Sequence, residues 1–94
     1  METKKAGMFM TRQIASDASK DEAFHTELFN CTLRYFNRDW GDLCKEDKSM
    51  NEKALKNGGR LLAAYLTSKG KIYIITDDTK AMPQTTTLLY ANEY

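Results

Sequence analysis

Histidine is nearly absent from this sequence. His25 is the only one in 94 residues, so a histidine-based metal site or a Ser-His-Asp triad would have to be built around that single side chain. It lies one residue from the apolar position Phe24, with neither a nucleophile nor an orienting acid at a useful spacing, and reads as an ordinary surface or boundary histidine. Cysteine is almost as scarce. Cys31 and Cys44 match no zinc or C-x-x-C redox spacing, which excludes a disulfide framework and leaves two reduced thiols. An excess of charge of either sign is missing too: fourteen basic residues stand against thirteen acidic ones, for a net charge of +1. That balance supplies neither the field that draws a protein to nucleic acid nor the acidity of a nucleic-acid mimic. Long apolar runs are absent. Lys4 and Lys5 precede Met8-Phe9-Met10, a run far too short for a signal-peptide core or a membrane span, so the expectation is a cytoplasmic protein without a membrane partner.

With 41% hydrophobic and 29% charged residues, the composition is that of a chain that folds. The length allows one self-sufficient core and leaves no room for a second, so residues 1–94 read as a single domain without repeat, linker or low-complexity segment. Met1 to Gly7 is polar and expected to fray, and Met8 to Thr11 has the composition of a short strand. Ser19-Lys20-Asp21-Glu22 has the form of a capping box, which starts a helix at Ser19. In that helix Phe24, Leu28, Cys31 and Tyr35 fall at i, i+4, i+7 and i+11, with Phe29, Leu33 and Phe36 as a second stripe beside them. The combined face predicts a helix laid across a sheet, buried along most of its length and ending near Asn37.

Asp42 to Asn57 is more polar, with Leu43, Met50, Ala54 and Leu55 as its apolar anchors. It reads as either one broken helix or a turn followed by a helix, with a second capping box at Ser49-Met50-Asn51-Glu52. Asn57-Gly58-Gly59 supplies the left-handed stop. From Arg60 the period changes to that of strands: Leu61 to Leu66, Ile72 to Thr76 and Thr85 to Tyr90. Ser68-Lys69-Gly70 joins the first two as an antiparallel hairpin, and Asp77 to Gln84 is a longer polar loop. Leu61, Leu62, Leu66, Ile72, Ile74, Ile75 and Leu88 supply the sheet's apolar side chains. The expected fold is a two-layer α+β domain. An antiparallel sheet of three to four strands, with a C-terminal meander, packs on one long N-terminal helix, and a second, more polar helix accompanies it.

Candidate chemistry is thin. Asp77 and Asp78 open a polar loop where carboxylates could hold a divalent ion, yet aspartate is also the residue that caps turns through its own backbone, and no metal or cofactor is expected. Gly58-Gly59 follows a helix and precedes a strand, the reverse of a phosphate-binding loop. Arg34 and Arg38 lie one turn apart near the end of the first helix and could contact phosphate or simply suit the helix C-terminus. Trp40 could anchor a partner or close one end of the core, and Tyr65, Tyr73 and Tyr90 carry the same two readings.

Several segments carry a resemblance: Phe9-Met10-Thr11-Arg12, Asp39-Trp40-Gly41-Asp42, Asp47 with Asn51 and Ala54-Leu55, Arg60-Leu61-Leu62-Ala63-Ala64-Tyr65, Ile72-Tyr73-Ile74-Ile75-Thr76, and Thr86-Thr87-Leu88-Leu89-Tyr90 with Glu93-Tyr94. On these the chain resembles, across most of its length, a family of small plasmid-related proteins found on plasmids, conjugative elements and prophages of gut-type bacteria. That family usually follows the Ile-Ile-Thr strand with an acidic residue and an Arg-Ser pair, where this chain has Asp77-Asp78-Thr79-Lys80-Ala81-Met82-Pro83. The resemblance implies a genetic setting more than a reaction, and it brings no catalytic residues. It implies a non-enzymatic accessory protein that binds a host or element-encoded protein and inhibits a host defence or regulatory factor, with Arg34, Arg38, Trp40, Asp77 and Asp78 as candidate binding residues. A small nucleic-acid-binding module using Arg12, Arg34, Arg38 and the strand tyrosines is the first alternative. A small enzyme using Asp77, Asp78 or His25 is the second. Pairing of the Met8 to Thr11 strand across a homodimer stays open as well.

Overall fold

A computed structural model describes residues 7–94, so the expected fraying of Met1 to Ala6 lies outside the described residues. The elements in order are β1 (Gly7–Met10), α1 (Arg12–Lys20), α2 (Glu22–Phe36), α3 (Lys45–Asn57), β2 (Leu61–Thr67), β3 (Gly70–Thr76), β4 (Thr85–Tyr90) and a 3-10 turn, Ala91–Glu93. Three helices and a four-stranded sheet make an α+β fold, and β2, β3 and β4 form the expected meander. The sheet is mixed rather than antiparallel. β1, which includes Gly7, lies beside β4 and runs parallel to it, giving the order β1-β4-β3-β2. Short turns force antiparallel pairing only between the strands they join, and β1 is separated from β4 by most of the chain.

The helices depart from the sequence reading in two ways. A helix precedes the expected one: the Thr11 hydroxyl accepts the Ile14 N–H at 3.4 Å to start α1, which buries only Ile14 and Ala18. Ser19 therefore caps nothing. It lies in the last turn of α1 and donates to the Ser16 carbonyl at 2.7 Å, whereas Asp21 starts α2 by accepting the Phe24 N–H at 3.1 Å. The second departure concerns the wide apolar face of α2. Phe24, Leu28, Cys31 and Tyr35 are buried as expected, but Phe29, Leu33 and Phe36 are exposed. A helix resting on a sheet buries a stripe of roughly 100°, and the second stripe lies beyond that arc.

The stretch after Asp42 resolves as a turn followed by α3. Ser49 sits inside this helix rather than capping it; Cys44 is the capping position, and Glu46 and Asp47 occupy the first turn, where negative charge suits the helix dipole. The helix stops at Gly58, with φ +89°, as the glycine pair predicts.

One core joins the helices to the sheet: Ile14, Ala18, Phe24, Leu28, Cys31 and Tyr35 meet Leu61, Ala63, Tyr65, Ile72, Ile74, Leu88 and Tyr90, with Trp40 and Ala54 completing it. Strand alternation sorts the remaining apolar residues. Leu62, Leu66 and Ile75 are out of step with Leu61, Tyr65 and Ile74, so they lie on the opposite face, and Leu66 is exposed rather than part of the core. The two sheet edges differ. At β2 the Ala64 N–H donates to the Trp40 carbonyl at 3.2 Å, and the Asp42 N–H donates to the Ala64 carbonyl at 2.7 Å. Gly41, with φ +77°, fits between them because any Cβ would collide with the Ala64 carbonyl. Further along, the Asn51 carboxamide donates to the Leu62 carbonyl at 2.8 Å and accepts its N–H at 3.1 Å. At the other edge, among the described residues, β1 has β4 on one side and no strand on the other.

Candidate functional site

Arg34 is held by its own neighbours. Its guanidinium donates to the Asp39 carboxylate at 2.7 and 3.2 Å and stacks over the Tyr65 ring, whose hydroxyl donates to the Asp39 carbonyl at 2.7 Å. The same guanidinium holds the Asp39 carboxyl below its ordinary pKa, and burial raises that of Tyr65. Arg38 lies past the end of α2, in the left-handed region at φ +62°, and reaches Glu52 at 3.8 Å. The two arginines therefore do not share a helix face.

Trp40 takes the core role of the two weighed. At 4% exposure it packs edge-on against Tyr35, 5.5 Å between ring centres, and its indole N–H donates to Glu52 at 2.8 Å. Asp77 is exposed at the end of β3. Asp78 caps the turn, accepting the N–H groups of Gly59 and Lys80 at 3.1 and 2.9 Å, and these bonds lower its carboxyl pKa. The Thr79 hydroxyl donates to the Ala54 carbonyl at 2.6 Å, tying the loop to the end of α3. Among the described residues no three of His, Cys, Asp and Glu converge in a metal-ligating cluster, and no helix is long and apolar enough to cross a membrane.

Of the strand tyrosines proposed for base stacking, Tyr65 and Tyr90 are buried, the latter donating to Asp17 at 2.6 Å. Tyr73 stays on the opposite sheet face. There the Tyr94 ring meets it edge-on at 5.5 Å, and the Arg60 guanidinium lies over Tyr94 at 4.9 Å.

A different surface gathers the second stripe of α2, which the sequence reading buried, beside the short strand β1. β1 and the flank of α2 above it enclose a groove of about 220 Å³, lined by Met8, Met10, His25, Leu28, Phe29, Thr32 and Leu88. Phe29, Leu33 and Phe36 form an apolar ridge along the exposed side of that helix. Two of the three charged residues of α2 lie on its other flank, where Glu27 accepts the Ser68 N–H at 2.9 Å and Arg34 covers Tyr65. No Lys, Arg, Asp or Glu occurs in β1 or among His25, Phe29, Thr32, Leu33 and Phe36. The sequence does carry a signal for this surface: an apolar arc on α2 wider than one sheet contact can cover.

No protein-family model, curated protein or solved structure matches this chain.

Proposed function

We propose that this chain is a non-enzymatic accessory protein of a mobile genetic element, working in the cytoplasm without a cofactor. It acts by binding a host or element-encoded protein through the surface of β1 and α2, and so inhibits a host defence or regulatory factor. The observation that carries the binding step is that Met8, Met10, Phe29, Leu33 and Phe36 are exposed along β1 and one side of α2, with no Lys, Arg, Asp or Glu among the described residues that line the groove between them. Interfaces between proteins are depleted of charge at their centres and enriched in aromatic residues and methionine. A nucleic-acid partner calls for the opposite, cations facing phosphate, and among the candidate arginines Arg34 is already committed to Asp39. The resemblance to plasmid-related proteins supplies the genetic setting. In this reading the architecture is two-layered, with α1 and α2 on one sheet face and the exposed flank of α2 free for a partner.

The test is recovery of a stoichiometric protein from host lysate by the tagged chain, compared with a Phe29→Ser/Leu33→Ser variant of unchanged circular dichroism. Covering these two side chains contributes about 1.5 kcal/mol each or less, because both are already part-covered, so the variant should bind up to ~100-fold more weakly. Recovery of the same partner by both proteins, or of none by either, would sink the proposal.

A further inference from the structure

The free side of β1 has a definite hydrogen-bonding pattern. The Gly7 N–H donates to the Gln84 carbonyl and the Thr11 N–H to the Leu88 carbonyl, both at 3.0 Å, so the odd-numbered residues of this strand spend their backbone groups on β4. Backbone groups alternate sides along a strand. The N–H and C=O of Met8 and Met10 therefore face away from the sheet, two donors and two acceptors in a row. An edge of this kind is normally blunted by lysine, proline, a bulge or a covering segment. Gly7-Met8-Phe9-Met10 has none of the first three, and among the described residues no segment covers it, although Trp40 to Asp42 and Asn51 close the β2 edge.

We infer that β1 pairs antiparallel with β1 of a second copy about a twofold axis at Phe9, joining two four-stranded sheets into one. This rests on reading the β1 and α2 surface as a protein-binding one, and it names the occupant of that surface in the free protein, a second copy that a captured partner displaces. Three features select a second copy over a foreign strand. In the register that sets Met8 opposite Met10 of the second copy, all four outward groups are satisfied by the same four on the other chain, with Thr11 opposite Gly7 and no charged residue inside the paired segment. The two Phe9 side chains then form the non-hydrogen-bonded pair on the axis, where Cβ atoms approach to about 4.5–5.5 Å. That accounts for a phenylalanine left 54% exposed on the sheet face away from the helices.

The third feature is area. An axis perpendicular to the sheet keeps the helices of both copies on the same side, where α1 packs on β1 and the flank of α2 that shares the groove with Met8 and Met10 faces the same edge, so the apolar flanks of the two copies are turned toward each other. Met8, Met10, Phe29, Leu33 and Phe36 are each between 43% and 64% exposed. At roughly 150–250 Å² per side chain they offer on the order of 500 Å² per copy, which brings the pair to the ~1,000 Å² that specific interfaces exceed.

Light scattering of the full chain across micromolar to submillimolar concentrations should give twice the 10.8 kDa of one chain. Phe9→Lys and Phe9→Glu should each halve the mass by setting like charges on the axis, and an equimolar mixture should restore it. Independently of either variant's fold, Phe9→Cys in a Cys44→Ser background should cross-link on oxidation, whereas Leu66→Cys on the far edge should not. A single-chain mass at every concentration, or a double mass untouched by Phe9→Lys, overturns the inference. If the wild type is a single chain while Phe29→Ser/Leu33→Ser still abolishes capture of a defined protein, the second copy is wrong and the protein-binding surface stands. If it is a single chain and capture ignores those substitutions, both fall.

Discussion

Asn51 shows how one side chain can stand in for a strand. Its carboxamide presents a donor and an acceptor at the spacing of a peptide group, and both are used on the two backbone groups of Leu62, while the residue itself is buried. Asn51→Leu should destabilise the protein by about 1–3 kcal/mol, because a buried N–H and C=O are left without partners and no compensating surface is gained. Urea denaturation reads this as a lower midpoint at unchanged slope. Asn51→Asp keeps the acceptor but loses the donor, so it should fall on the same side. The sequence placed Asn51 among the residues that carry the resemblance but gave it no structural role, since an asparagine in a polar helix looks like any solvated residue.

Among the elements, α2 owes its start to Asp21 rather than to Ser19. Both side chains are cap formers, and the choice between them depends on α1, which carries the chain through Ser19 as helix and ends just before Asp21. Asp21 also reaches Lys69 of the β2–β3 hairpin at 3.2 Å. Asp21→Ala should cost about 0.5–2 kcal/mol through loss of the cap, whereas Asp21→Asn should retain most of the stability, because asparagine caps as well and an exposed ion pair is worth little. Thermal unfolding of the two variants separates these contributions. The buried side of α2 was legible from the spacing of Phe24, Leu28, Cys31 and Tyr35. α1 was not, because nine residues with two buried positions carry too little periodicity to stand out from a loop.

Across the whole molecule, the ionisable groups set the pH range in which the fold is held. Hydrogen bonds to Tyr90, to the Phe24 N–H, to Arg34 and to the Lys80 N–H lead the lowering of the Asp17, Asp21, Asp39 and Asp78 carboxyl pKa values respectively. A carboxyl depressed in the folded state stabilises it above the unfolded pKa and loses that contribution as pH falls through the folded value. Burial moves Cys31, Tyr35, Tyr65 and Tyr90 the other way, and a raised thiol or phenol contributes fully below its unfolded pKa and loses that contribution as pH rises through the folded value. The urea midpoint should therefore be flat between about pH 4 and pH 8.5 and fall on either side, and a maximum confined to neutral pH would contradict this balance. Most of the arginine and aspartate residues that looked available in the sequence are spent on such internal contacts, which is why the candidate surface lies elsewhere.

By itself the sequence determined the α+β composition, the three strands of the meander, the glycine stop after α3 and the buried stripe of α2. Each depends on a period or a turn residue within one short segment. Only the tertiary structure decided that β1 joins β4 in parallel, that Trp40 and Asn51 serve the β2 edge, and that Phe29, Leu33 and Phe36 remain outside. These depend on how much of a helix a sheet can cover and on which edge a distant strand finds, and neither is a property of any local stretch of chain.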